Sequence, residues 1–457
     1  MKDGTITRNV FGLSRKEAEA ISFRASEGNY DIASILEAKL IGKKTGKKFD
    51  EFDGSRPTSP QTAEVEKIRI TTDLDDGSGN DNSKTSIKKG MLHGKKYVLE
   101  VIKFKGDIEP DNERNIKWAY GYSKEPTEPD SIGEVIIGSI SQTGKKIKFK
   151  AENLDMCGRE ITFYAYIQEK NNGGKIPVFH HYRFHWFDRK VIEAEVEERK
   201  SKPWLANQKN TSLCGMAAIL YLLAKQNHDL YKKFVLGLHR TGYYKFDNYV
   251  VDVSKKSKHL LKMNPEKNAS YPEDYQSKMP YCDWISFSSI RDQENNVRDF
   301  DGEDDFSFDG ATFPNEIETL MKGILGCSDV VDNANMVFNK GSLLWDGEDS
   351  SAREIAKMQE LYLDGYNIVM LVNTNMIEQK QVLFSKGGKN YIIQAKKAQK
   401  SGLFSTMEHW IVFEGVIGGT ISWDEYDFKV FTWGEIKDII VDPEIFSSNY
   451  YGYVYGK

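Results

Sequence analysis

Apolar residues recur along the chain with two different periods, and the change between them falls near residue 200. From about 65 to 197 the runs are short and alternate with polar positions: KIRITTD, KKYVLEVIKF, IKWAYGY, GEVIIGSI, KKIKFKA, REITFYAYIQ and VFHHYRFHWFD. Turn-forming residues separate them every 8–15 residues or so. Alternation puts every second side chain on one face of a strand. About six to eight such strands without helical periodicity predict a β-sandwich of immunoglobulin-like type.

Beyond residue 200 the spacing becomes helical. The run CGMAAILYLLAKQNHDLYKKFVLGLHRTG, which begins at Cys214, predicts helix, with Gly242 as its stop. Residues 245–350 read as loops with short helices such as PNEIETLMKGIL. SAREIAKMQELYLDGYNIVMLVNT predicts helix, glycine turn and buried strand, and NYIIQA, EHWIVFEGV and DFKVFTWG predict further strands. Helices followed by antiparallel strands make this part an α+β domain. The chain therefore divides into a polar arm and linker (1–62, ending FDEFDGSRPTSPQ), an all-β sandwich module (63–198) and an α+β domain (199–457). The charged stretch EAEVEERKSKP reads as the connector between the last two.

Composition narrows the function. The 457 residues are 39% apolar and include 24 Phe, 23 Tyr and 8 Trp, enough for the cores of two or three domains. A net charge of -5, spread over both signs, gives no support to nucleic-acid binding. The longest apolar stretches fall well short of the roughly 20 residues that span a bilayer. The N-terminal MKDGTITRNVFGLSRKEAEAISF lacks the apolar core of a secretory signal. Synthesis and folding in the cytoplasm are expected, with any export left to a machine that reads no such signal.

Four cysteines, Cys157, Cys214, Cys282 and Cys327, form no CxxC pair, so free thiols are expected rather than a zinc site or a disulfide scaffold. The acidic loop DLDDGSGNDN (73–82) starts like a calcium loop but has Lys84 where the last carboxylate ligand belongs. It reads as a solvated loop, as does FDGEDDFSFDG (300–310). No metal or cofactor is expected.

Cys214 stands apart from the other thiols because it opens the helical run. Backbone N–H groups and the dipole at a helix N-terminus stabilise a thiolate. Gly215 would leave room for a substrate, and Met216, Ala217 and Ala218 would let the helix bury against a sheet. The competing reading is a buried structural cysteine. A nucleophile also needs a base. Among eight histidines, His180, His181 and His185 sit among aromatics in the β-module, and His93 follows a loop. His228, His239 and His259 lie on or near helices soon after the cysteine. His409 instead opens the strand HWIVFEGV, where a sheet would hold it rigidly. Without a partner it is a polar edge residue. Gln208, six residues before Cys214, could join the Cys214 backbone N–H in binding an oxyanion, or be a solvated linker residue.

Gln208, then Cys214–Gly215 at a helix start, then His409 at a distant strand start: this order resembles the papain-like cysteine peptidase superfamily. FTWG (431–434) is similar to the Asn-Ser-Trp-Gly stretch that closes the papain site, with Phe431 in the place of the orienting Asn. The resemblance implies Cys214 as nucleophile, His409 as base and later acid, and Gln208 as oxyanion donor. It leaves the third member open between Asp427, Thr432 and none. DWISFSSIRDQEN (283–295) is similar to a stretch of bacterial papain-like proteins, and its Asp283, Arg291 and Asp292 read as a buried ion network that ties a loop down. ITTDLDDGSGND with IKKGMLHGKKYVLEV resembles modules of type VI secretion-associated proteins.

Together these resemblances imply an effector delivered into a target cell, with an Ig-like adaptor ahead of a toxic hydrolase domain. Its partners would be a protein or peptide-like substrate, a secretion-machine carrier and a cognate immunity protein. Peptidoglycan amidase, deamidase and transglutaminase chemistry would use the same residues. A non-enzymatic secreted adaptor or binding protein is the alternative from another class.

Overall fold

The computed structural model describes residues 63–124, 134–209, 211–255, 257–267, 278–294, 312–336, 348–377, 382–386, 389–393, 408–419 and 425–457. The expected arm 1–62 and the loop 300–310 lie outside the described residues.

The alternating segments form β1 (Val65–Ile70), β2 (Asp75–Ser78), β3 (Ile87–Gly90), β4 (Lys96–Phe104), β5 (Lys117–Ser123), β6 (Val135–Ile140), β7 (Lys146–Lys150), β8 (Arg159–Tyr166) and β9 (Gly174–His180). They pair as a three-stranded sheet β1-β4-β7, a four-stranded sheet β6-β5-β8-β9 and a hairpin β2-β3, all antiparallel. Every second residue turns inward. Tyr97, Leu99 and Val101 of β4 meet Trp118 of β5 and Ile161, Phe163 and Ala165 of β8 in one apolar cluster. The run VFHHYRFHWFD does not stay extended. β9 ends at His180, and Phe184 and Phe187 enter a different core, the one built around the helices that follow.

The stretch expected as a connector is not a free linker. It is helix α1 (Arg189–Glu198), capped by Asp188, whose carboxylate accepts from Lys190 N and Val191 N. Its Val191, Ile192 and Val196 are buried in the helical core, which a solvated linker would not allow. The other oxygen of Asp188 accepts from Asp81 N and Asn82 N at 3.1 Å each, so the acidic loop is clamped to this helix. Asp81 itself accepts from Ser83 N (3.0 Å) and Ser86 Oγ (2.7 Å).

The long helical run is two helices, α2 (Cys214–Gln226) and α3 (His228–Thr241). Asn227 breaks it because its side chain caps Leu230 N, which starts a new helix. Gly242 ends α3 at φ +66°, as the sequence suggested. Helices α4 (Tyr281–Glu294), α5 (Pro314–Gly323), α6 (Glu348–Leu363) and α7 (Pro443–Asn449) follow, and hairpin β10 (Tyr243–Lys245) with β11 (Val250–Asp252) lies between α3 and α4. Among the described residues, no helix is long and apolar enough to cross a membrane.

The remaining strands are β12 (Val330–Asp332), β13 (Asn367–Asn373), β14 (Val382–Lys386), β15 (Lys389–Ile393), β16 (Glu408–Val416), β17 (Tyr426–Thr432), β18 (Glu435–Val441) and β19 (Tyr450–Gly456). Six of them make an antiparallel sheet in the order β12-β19-β13-β16-β17-β18. NIVMLVN is unbroken apolar because both faces of β13 are covered. Val369 and Leu371 meet the α2 core, while Ile368, Met370 and Val372 meet the core shared with α6 and α7.

One ion pair ties these helices together. Arg199, just past α1, donates to Asp283 of α4 at 2.8 Å, with side-chain exposures of 3% and 0%. Burial pushes the Asp283 carboxyl up, while Arg199 and the Asn207 N–H (3.0 Å) pull it down. Arg291 instead forms a fork with Glu316 at 2.7 Å and 2.7 Å, and Asp292 accepts from Ser257. Three charges of the 283–295 stretch, Asp283, Arg291 and Asp292, therefore pin three different segments. Asp283→Ala is expected to cost about 3–5 kcal/mol in urea unfolding, because it strands a buried guanidinium. Adding Arg199→Met should recover most of that loss. A single-mutant cost below about 1 kcal/mol would show that the pair is no anchor.

Candidate active site

Cys214 is the first residue of α2, and no side chain caps the preceding Leu213 end. Gly215 does not make room for a substrate, as the sequence suggested. A Cβ there would lie 2.6 Å from the Thr312 side chain, so glycine is needed for close packing against the segment before α5.

Across from it, β16 begins with Glu408 and His409. The ladder between β16 and β17 includes the pair Val412–Phe431, and β17 ends one residue later at Thr432. Trp410 N–H, two residues before that pair, is thereby released from the sheet, and it donates to Cys214 Sγ at 3.4 Å. Backbone geometry then places the sulfur within about 6 Å of the His409 Cα. The sulfur itself points at Ser212 O, 4.0 Å away.

By strand alternation His409 lies on the face of Ile411, Phe413 and the paired Val372, whereas Trp410 and Val412 face the α2 core, and among the described residues its ring makes no hydrogen bond to Cys214. His409 Nε2 lies 2.8 Å from Thr432 Oγ1, and the ring stacks on Trp433 with centroids 4.6 Å apart and planes 20° apart. Among the described residues, Nδ1 makes no hydrogen bond. Trp433 sits at φ +45° and Gly434 at φ +82° in the β17–β18 turn. A Cβ on Gly434 would fall 2.4 Å from Asn207 Nδ2, so only glycine closes the turn here. Asn207 Nδ2 in turn donates to Trp433 O at 2.8 Å.

The two candidates for a third member separate cleanly. Thr432 contacts His409, whereas Asp427 lies five residues back along β17, opposite Ile440 of β18. Phe431 turns to the other side and stacks on Tyr221 of α2 at 4.0 Å. The next hydroxyl serves His409 instead. Gln208 is buried in the turn before Cys214, and its backbone O accepts from Thr211 N (3.2 Å) and Thr211 Oγ1 (2.6 Å). Among the described residues its amide makes no hydrogen bond to Cys214 or His409.

Burial sets the electrostatics. Cys214 is 8% exposed and His409 5%. Desolvation pushes the His409 imidazole down to about 3, so the ring is neutral at physiological pH. It also pushes the neighbouring Glu408 carboxyl up to about 7. The other thiols are disfavoured as nucleophiles. Cys157 is pushed up to about 12 by burial, Cys282 well above the usual thiol range, and Cys327 upward.

Sequence patterns gave no sign of Asn207 and Thr312, because their partners lie 226 and 97 residues away along the chain for Trp433 and Gly215 respectively. Comparison with family models, curated proteins and solved structures finds no match.

The neutral buried histidines set an acid limit on stability. Burial pushes His409 and His239 down to about 3 and His180 to about 4. Their unfolded value is about 6.5, so on acidification the unfolded chain takes up protons first and folding loses stability. Each is expected to remove about 1.4 kcal/mol per pH unit between roughly pH 6 and pH 4. Urea unfolding at pH 7 and pH 5 checks this, and an unchanged midpoint would contradict neutral burial.

Proposed function

We propose that residues 199–457 form a papain-like cysteine hydrolase that works by acyl transfer through Cys214 and His409, behind an immunoglobulin-like module in residues 63–198. One observation carries the reading. The Trp410 N–H, next to His409 in the chain, lies 3.4 Å from Cys214 Sγ, which brings segments 195 positions apart together at the end of a sheet; the imidazole lies toward the other face and would turn to reach the sulfur. Support for the Ig-like module is the packing of its three- and four-stranded antiparallel sheets around buried Trp118.

In this scheme His409 Nδ1 takes the thiol proton as the sulfur attacks an amide carbonyl. The C–N bond breaks, the amine leaves with that proton, and an acyl thioester remains. Water, deprotonated by the same nitrogen, then releases the acid and restores the thiol. Thr432 Oγ1 and Trp433 fix the ring in the role a side-chain amide has in papain. The Trp410 N–H and the α2 N-terminus stabilise the thiolate. The Gln208 amide, with the Cys214 N–H, would bind the oxyanion after turning toward it. Proteolysis of a protein target leads among the chemistries open to these residues, which include peptidoglycan amidase, deamidase and transglutaminase activity. Delivery as a secretion-system effector, with a carrier and an immunity protein, rests on the resemblance of the β-module.

The burial of both side chains favours a second reading, in which the α+β domain is catalytically inert and the β-module of a secreted adaptor supplies the function. Iodoacetamide at neutral pH separates the two. A catalytic Cys214 should be alkylated well before Cys157, Cys282 and Cys327, and equal sluggishness of all four supports the adaptor. Growth of a bacterial host expressing wild type or Cys214→Ala, in cytoplasm or periplasm, then reports activity and compartment. Cys214→Ala and His409→Asn are expected to abolish growth arrest with melting near wild type. Thr432→Val should weaken activity about tenfold or more by freeing the ring. Arrest that survives in either of the first two variants removes the catalytic assignment.

A further inference from the structure

Three residues outside that site converge where the β-module meets the helices. A parallel bridge joins Met91 to His180, and His180 also pairs with Arg159. His93, two residues after Met91, and Cys157, two before Arg159, are thereby drawn to the end of β9. One nitrogen from each histidine and Cys157 Sγ all lie within 4.8 Å of one another. His93 Nδ1 faces the sulfur at 4.0 Å.

The tautomer of His180 is fixed by its surroundings. Its Nδ1 lies 3.0 Å from His181 O, and a carbonyl can only accept, so Nδ1 carries the proton. Nε2 is then a bare lone pair. It is fully buried and has no hydrogen-bond partner, a costly state for a polar atom. A histidine with one nitrogen bonded to a backbone carbonyl and the other presenting its lone pair is the usual arrangement of a metal ligand.

We propose that His93, Cys157 and His180 form a binding site for a borderline-soft divalent transition metal of the zinc class. One thiolate and two imidazoles are the ligand chemistry such an ion prefers. Bond lengths of about 2.3 Å to sulfur and 2.0–2.1 Å to nitrogen require ligand atoms roughly 3.3–3.6 Å apart. The cluster must contract by little more than about 1 Å, and His93 sits in the short turn between β3 and β4 that can supply it. Binding exchanges the Cys157 proton for the metal, so one proton is released per ion. His93 is partly exposed, whereas Cys157 and His180 are buried. The charges facing the cluster are mixed. Burial opposes the Cys157 thiolate while Arg183 and Arg240 favour it, and Arg183 and Lys150 oppose the dication that Glu152 and Asp155 attract.

The position suggests a structural role. Arg240 of α3 donates to Cys157 O and Asp155 O at 3.0 Å each, so the ligand loop already bears on the helical half. A metal here would staple the seam between the two halves. It also revises the expectation from cysteine spacing, which searched for paired cysteines and could not see one thiol joined to two distant histidines.

The test uses the full chain, stripped with a chelator and titrated with Co2+ alone. One equivalent should bind and give a sulfur-to-cobalt charge-transfer band with tetrahedral visible bands. The band should persist in Cys214→Ala, vanish in Cys157→Ser and need more than about tenfold higher Co2+ in His93→Gln. The proposal is overturned by the absence of such a band in wild type, by its survival in Cys157→Ser, or by its loss in Cys214→Ala. Should Cys157→Ser fail to fold, the wild-type band and its weakening in His93→Gln decide the matter. His93 lies on a partly exposed turn that tolerates the change, and an unweakened band there counts against the site.

Discussion

A single buried carboxylate organises the helical half of this protein. Asp283 is fully enclosed and receives the Arg199 guanidinium from one side and the Asn207 N–H from the other. Asn207 passes the constraint on through its side chain to the carbonyl of Trp433. One charge thus links the end of α1, the start of α4, the segment entering α2 and the β17–β18 turn. A buried ion pair contributes little net stability compared with apolar packing, but removing one partner is expensive. Such a pair therefore acts as a register mark, and here it fixes the two segments that frame Cys214 and His409.

The gap those segments enclose follows from strand lengths. β16 begins with Glu408, while β17 ends at Thr432, so the end of the ladder leaves the Trp410 N–H for the sulfur and sets the Thr432 hydroxyl beside His409 on the other face. The sulfur at the head of α2 takes the donor and the imidazole takes the hydroxyl. Both side chains are buried, and the imidazole is neutral. Dryness strengthens each polar interaction in the gap and opposes separation of charge into thiolate and imidazolium.

The two halves meet through polar contacts that act on backbone atoms. Asp188 holds Asp81 N and Asn82 N, and Arg240 holds the carbonyls of Asp155 and Cys157. Backbone partners impose position without depending on side-chain rotamers at the far end. The strand-to-helix passage from His180 to Asp188 is correspondingly rigid, with Phe184 and Phe187 buried beside Trp284. The charged connector read from composition is part of this joint, because its apolar positions at helical spacing weigh more than its mean polarity.

Periodicity alone located the β-rich first half, the Cys214 helix, the Gly242 stop and the strand that His409 opens, since each rests on local spacing of apolar residues. It also singled out Cys214 and His409, because helix starts and strand ends are visible in sequence, while Thr432 entered only through the resemblance, as one of two candidates beside Asp427. The choice of Thr432 over Asp427, the turning away of Phe431 toward Tyr221, the reason for Gly215, and the meeting of His93, Cys157 and His180 were settled only by tertiary contacts. The physical reason is range. Periodicity encodes which face of an element is buried, whereas a hydrogen bond between residues 196 positions apart, like that from Trp410 to Cys214, depends on strand register and strand length across the whole sheet.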